Sequence, residues 1–209
     1  MKISKHTHSC LLVEDRGKVA LIDPGEYTAQ AGALDVNKIE KLDYIVITHE
    51  HQDHMYIPLI KEVMEKFPNA QIMSNLSVKT KLEKVGLSVI TESNNDIVLE
   101  AAIHEDVFDV SSMAPNVLVR IFEKLTHPGD SLQFNLTTDI LAIPLQGPWG
   151  HVTQAMEKVI QLKPKIVVPI HDWHWREEAR SNILQRIPRY LEQHGIQFYS
   201  LENGEVIEI

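Results

Sequence analysis

Apolar positions come in short runs near the start of the chain. Lys2–Lys5, Cys10–Glu14 and Lys18–Asp23 are brief, β-branched or apolar, and the turn signal Asp15-Arg16-Gly17 separates the last two, so all three read as strands. Asp23-Pro24-Gly25 stops the third abruptly. Asp43–Thr48 is almost continuously apolar, the pattern of a strand covered on both faces. The period then changes. Ile57, Ile60, Val63, Met64 and Phe67 recur at helical spacing and predict a helix over Met55–Phe67, which Pro68 ends. Gln71–Met73 reads as a strand, and Ser74 or Asn75 can cap a helix reaching Val85, with Gly86 as its stop. Strands are expected at Ile97–Ile103, Val117–Phe122, Leu132–Phe134, Ile140–Ile143 and Lys165–Ile170. Thr153–Leu162 is amphipathic. Arg176–His194 predicts a long helix that Pro188 should kink or break, and Gln197–Leu201 and Val206–Ile209 close the chain as strands. A run of strands followed by alternating strands and helices predicts mixed sheets with helices outside them. With no repeat, low-complexity tract or Gly/Ser linker, 1–209 reads as one domain.

Composition narrows the function. The net charge is −9, from 29 acids and 20 bases, which argues against a dedicated nucleic-acid binder. No apolar run approaches the roughly 18–20 residues of a membrane span, and no export signal is visible, so the expected location is cytoplasmic. Cys10 is the one cysteine, which excludes an intrachain disulfide and reads as a small buried hydrophobe. The eleven histidines are the unusual count, because three of them lie within six residues.

Those three belong to Thr48-His49-Glu50-His51-Gln52-Asp53-His54, between a buried strand and a helix. In an extended or turning loop, residues two apart point the same way, so His49 and His51 can face one cation. Asp53 and His54 sit where the chain turns into the helix and can address a second point nearby. Imidazole with carboxylate is a donor set for zinc, iron or manganese. Three further donors end predicted strands or follow them in a turn: His104, Asp130 and His171. Together these residues suffice for two metals.

The residues resemble the metallo-β-lactamase superfamily over nearly the whole chain. The resemblance runs from Lys5-His6-Thr7-His8-Ser9-Cys10 and Leu21-Ile22-Asp23-Pro24-Gly25 through the HxHxDH loop. It continues in Gly129-Asp130-Ser131 and Val168-Pro169-Ile170-His171-Asp172. Within the superfamily it looks most like the small, one-domain, UlaG-like and lactonase-related hydrolases. That similarity implies an α/β fold, an αββα four-layer sandwich of two mixed β-sheets flanked by helices, with the site at one sheet edge. Carried over by position, it implies that His49, His51 and His104 hold one metal, Asp53, His54 and His171 a second, and that Asp130 bridges them. Asp23 would buttress a ligand histidine. The third-histidine motif departs from the common Gly-His-x-x-Gly; it is Ala102-Ile103-His104-Glu105-Asp106, which leaves His127 as a rival of His104.

The implied cofactors are two divalent transition-metal ions, zinc first, with manganese or iron as alternatives. Two adjacent dications bring a bridging water from a pKa of about 15.7 toward roughly 7, and the hydroxide cleaves a small ester, lactone or phosphoester. Asp53 is the expected catalytic group, holding or passing the proton. His8, His127, Trp149 and Trp173 are candidates to line the substrate pocket. The expected partner is a small molecule, not nucleic acid or a membrane, with a homo-oligomer left open. The competing readings are a non-catalytic metal-binding or regulatory protein on this scaffold, or a nuclease, which would want a basic face.

Overall fold

A computed structural model describes residues 1–107 and 114–209. Its strands build two mixed sheets. The first contains β1 (Lys2–Lys5), β2 (Leu11–Asp15), β3 (Lys18–Ile22), β4 (Tyr44–Val46), β5 (Gln71–Met73), β6 (Val89–Ile90) and β13 (Val206–Glu208), in the order β13-β1-β2-β3-β4-β5-β6. The second contains β7 (Ile97–Ala102), β8 (Asn116–Ile121), β9 (Leu125–His127), β10 (Ile140–Pro144), β11 (Ile166–Ile170) and β12 (Gln197–Phe198), in the order β12-β11-β10-β9-β8-β7. Each sheet is antiparallel at one side and parallel at the other: β3, β4, β5 and β6 run parallel, and so do β9, β10, β11 and β12.

Strand alternation explains the layers. In β4 and the residue after it, Val46 faces the core between the sheets while Ile45 and Ile47 face outward. In β10, Ile140 and Ala142 point inward, and Leu141 and Ile143 outward. Both faces are covered, so these strands read as unbroken apolar runs. The outer face of the first sheet lies under α2 (Ile57–Lys66) and α3 (Leu76–Glu83), through Leu59, Ile60, Val63, Val78 and Leu82. That of the second lies under α4 (Val152–Leu162) and α5 (Glu177–Glu192), through Ala155, Val159, Leu184, Ile187 and Leu191. The result is the αββα, metallo-β-lactamase fold.

Several details differ from the sequence expectations. Leu132–Phe134 is not a strand; the place beside β8 belongs to Leu125–His127. Beyond Gly129 the backbone donors go to side chains instead of a ladder: Leu132 N–H to Glu105 Oε1 (2.8 Å) and Gln133 N–H to Ser131 Oγ (3.1 Å). The helix expected from Met55 starts at Ile57, because Met55 and Tyr56 donate to the carbonyls of His51 and Pro24. A short helix, α1 (Glu26–Gln30), follows Gly25 unannounced. Helix α5 continues through Pro188, held to the sheet by Leu184, Ile187 and Leu191 around it. Among the described residues no helix is long and apolar enough to cross a membrane. Cys10 is fully buried, as expected.

Candidate metal centre

Parallel strands deliver their carboxyl ends to one edge, and the loops there supply the site. Asp23 follows β3, the 48–54 loop follows β4, Asp130 follows β9 and His171 follows β11. His104 comes two residues after β7. Close approach of these loops demands glycine at two points. A Cβ on Gly25 would lie 1.7 Å from the Asp53 carbonyl oxygen. On Gly129, whose φ is +60°, it would lie 2.1 Å from Asn116 Oδ1. The Asp23-Pro24-Gly25 turn thereby clamps the histidine loop, with Glu26 N–H on the Gln52 carbonyl (2.7 Å) and Tyr56 N–H on that of Pro24 (3.0 Å). Glu105 N–H donates to the Asp130 carbonyl (2.8 Å), tying the His104 loop to the aspartate.

Two donor groups result: His49, His51, His104 and Asp130, and His8, Asp53, His54 and His171, each with ligand atoms within 4.8 Å of one another. Asp130 lies between them. Its Oδ1 is 3.1 Å from the Nε2 atoms of both His54 and His171, and its Oδ2 is 3.6 Å from His104 Nε2 and 4.0 Å from His49 Nε2. Asp53 Oδ2 is 3.8 Å from the Nε2 atoms of His54 and His171. All seven residues that the sequence singled out as ligands are therefore brought together.

The other ring nitrogens of His49, His54, His104 and His171 are already occupied. His54 Nδ1–H donates to Asp23 Oδ2 at 2.7 Å. Thr48 gives its hydroxyl to the same carboxylate (2.8 Å) and stands 3.1 Å from His49 Nδ1, so Asp23 steadies both histidines. His104 Nδ1–H goes to the Glu105 carbonyl (2.7 Å), and His171 Nδ1–H to that of Gln146. This fixes the tautomer and turns each Nε2 toward the common space. Those Nε2 atoms of His49, His54, His104 and His171, and Asp130 Oδ1, are buried without a hydrogen bond. Buried polar atoms normally find partners. Five such atoms converging on one space, all imidazole or carboxylate, fit divalent transition metals.

The field of the site is uneven. Burial alone would suppress charge on His54, but the Asp130, Asp23 and Asp53 carboxylates outweigh it and raise its pKa well above the usual value. Burial, joined by the neighbouring His54, drives His49 well below it. His8 falls to about 3 through burial and then His171.

The remaining candidates separate. His8 is nearer the centre than a pocket wall: its Nε2–H donates to Asp53 Oδ2 (3.1 Å), and its ring lies 3.9 Å from that of His171. His127 is fully buried with both nitrogens engaged, Nε2 with the Ser9 carbonyl (3.0 Å) and Nδ1 with Gly129 N–H (3.2 Å). Its nitrogens thus face backbone groups beneath the loops, whereas His104 Nε2 faces Asp130 Oδ2 at 3.6 Å. Trp149 packs 5.4 Å from His171, and Trp173 stacks on Tyr27 at 5.6 Å. Tyr27 was missed in the sequence because it sits in the unexpected α1; Pro24-Gly25, a turn before a helix start, was its one signal. His151 caps α4, and His194 follows the end of α5.

Fold and donor geometry together define the metallo-β-lactamase type of architecture. A model of the beta-lactamase superfamily domain matches residues 2–171, and the chain belongs to that family. A UPF0173 protein of Pyrococcus furiosus is 31% identical over 186 residues, covering 82% of this chain and 83% of its own. A UPF0173 metal-dependent hydrolase of Nanoarchaeum equitans is 22% identical, with both chains fully covered. Among solved structures, a metallo hydrolase of Ignicoccus hospitalis superposes with a TM-score of 0.73 at 22% identity, covering 100% of this chain and 98% of its own.

Proposed function

We propose that the protein is a metal-dependent hydrolase with two metal positions, acting on a small ester, lactone or phosphoester. The observation that carries this reading is the set of buried Nε2 atoms that converge on Asp130 without a hydrogen bond. The names of its UPF0173 relatives agree with it. His49, His51 and His104 would hold one ion, Asp53, His54 and His171 the other, and Asp130 both. Bound ions would supply Lewis acidity, bringing water's pKa from about 15.7 toward roughly 7 and polarising the attacked oxygen. Zinc is the first candidate, then manganese or iron.

The chain's own groups do the rest. Asp53 is the donor-group carboxylate that reaches solvent, with its side chain 23% exposed, against 4% for Asp130. One of its oxygens, Oδ2, is held by His8, which leaves Oδ1 to take the proton of an attacking water and pass it to the leaving group. Asp23, through Thr48 and directly, keeps His49 and His54 in the tautomer that presents Nε2 inward. The UlaG-like, lactonase-related placement and a cytoplasmic setting belong to this proposal, the latter in keeping with the single buried thiol.

Elemental analysis of protein reconstituted with zinc or manganese tests it. About two ions per chain are expected. None after reconstitution would remove the reading. Loaded protein is then assayed on lactones, esters and phosphodiesters, where silence throughout would leave a binding protein instead of an enzyme.

A further inference from the structure

The mouth of the site is not chemically neutral. On the side of His8 and His171 stands a group of rings held by one another. Tyr27 stacks on Trp173 at 5.6 Å with 21° between planes, and its hydroxyl lies 3.0 Å from His174 Nε2. The edges of His8 and His174 meet Tyr27 at 5.1 Å and 5.2 Å. Trp149 completes the group, 5.4 Å from His171. It is lodged there by the tight 147–150 turn, in which a Cβ on Gly147 would come within 2.5 Å of the indole. Rings fixed this way offer flat apolar surface at little entropic cost. Trp173 nevertheless stays 39% exposed, and Ile103, next to His104 on the opposite side, is 60% exposed. Large apolar groups left uncovered at both sides of a polar centre mark a binding surface.

The nearby lysines and arginine add little to recognition. The cations whose contacts reach the site are already committed to carboxylates. Lys5 Nζ is 2.6 Å from Asp172, and Arg180 holds Asp172 (2.9 Å) and both oxygens of Glu202 (2.9 and 3.1 Å). Lys81 is 3.0 Å from Glu50. These three cations are spent on the protein's own carboxylates, and the rings are what this side of the site offers the apolar part of a substrate.

We propose that Tyr27, Trp149 and Trp173 form a preassembled aromatic platform beside the Asp53–His171 donor group, binding the planar, uncharged part of the substrate. The site thus takes an ester, lactone or phosphoester that bears a flat apolar group. This rests on the hydrolase reading above and narrows its substrate class.

The test uses the full-length protein loaded with zinc and three probes. These are 2-naphthyl acetate (flat and neutral), ethyl acetate (neutral without a ring) and bis(4-nitrophenyl) phosphate (flat and charged). Comparing wild type with Trp173→Ala cancels the intrinsic reactivity of each ester. The 2-naphthyl-over-ethyl ratio of kcat/KM should fall about tenfold in Trp173→Ala, mostly through KM, and Trp149→Ala should shift it in the same direction. Calorimetry with 2-naphthol, uncharged at neutral pH, should show binding that weakens about tenfold in Trp173→Ala. The platform is overturned if both variants keep the wild-type ratio and the wild-type 2-naphthol affinity. If neither these probes nor the lactones are cleaved but 2-naphthol binding depends on Trp173, the hydrolase reading fails and the platform stands.

Discussion

His49, His51 and His104 approach Asp130 from a strand-end loop of the first sheet and the end of β7, and none of them has a left-handed backbone. Around Asp53, His54 and His171 the backbone is different. Thr7, His8, Asp23 and His171 all sit at positive φ, between 45° and 71°. Non-glycine residues enter that region at a cost and stay only where surrounding contacts insist. Here the contacts are identifiable: His171 N–H on the His8 carbonyl (3.2 Å), Thr7 on Asn203 (2.8 Å), and the buried Lys5–Asp172 pair directly after His171. The first donor group is placed by regular strand ends. The second is placed by strained turns and buried polar contacts, and it is the one with an aromatic wall. One chemistry is thus built by two routes, one from regular strand ends and one that relies on distant residues.

The sharpest way to break the comparison is to remove the carboxylate both groups share. Asp130→Ala should drop bound metal from about two ions to well under one per chain and cut turnover by at least about a thousandfold. Loss of a single ion would assign Asp130 to one group only. Asp53→Ala comes next. Turnover should fall about 100- to 10 000-fold while the fold is kept, with one ion retained at His49, His51 and His104. Metal content and circular dichroism together decide it, and undiminished turnover would remove Asp53 from the mechanism. Asp23→Asn should weaken metal binding about 10- to 100-fold, because it loosens His54 directly and His49 through Thr48. Competition with a chelator measures it, and if the coupling through Thr48 holds, both ions should weaken.

Much of this centre was legible in the sequence, because ligands impose residue type and spacing at once. The 48–54 loop announced itself by three imidazoles and a carboxylate at a strand-to-helix junction, and Asp130 and His171 by the strand ends before them. What the sequence could not resolve was decided by burial. His104 and His127 are equally plausible as letters, yet only His104 keeps a nitrogen unspent. His8 looked like a wall residue because nothing local reveals that residues 7 and 8 turn left-handed and aim the ring at Asp53. Tyr27 went unseen since five residues after a Pro-Gly turn carry too little periodicity to signal a helix. In the fold, continuous apolar strands were plain, whereas Leu132–Phe134 misled: its hydrophobic residues are buried or half-buried, but its backbone donors belong to Glu105 and Ser131.

The smallest expected effect on metal binding tests the distant support of the second group. Asp172 is buried and bridges Lys5 Nζ (2.6 Å) and Arg180 Nε (2.9 Å), with no contact to the donor atoms themselves. Burial would raise its carboxyl pKa, but Lys5 and Arg180 hold it below the usual carboxylate range. A depressed folded pKa means that this carboxylate stabilises the fold above its unfolded pKa, near 3.9, and stops doing so as pH falls through the folded value. Asp172→Asn leaves the Lys5 ammonium buried and only half paired, at a cost of about 3–5 kcal/mol in stability at neutral pH. Denaturant unfolding at pH 7 reads that loss, and it should shrink as the wild type is acidified. Metal affinity should fall less than about tenfold, and only at the ion bound by His171, since the other donors keep their own anchors. Equal weakening of both ions would mean that the two donor groups are not supported separately, and the contrast between them would disappear.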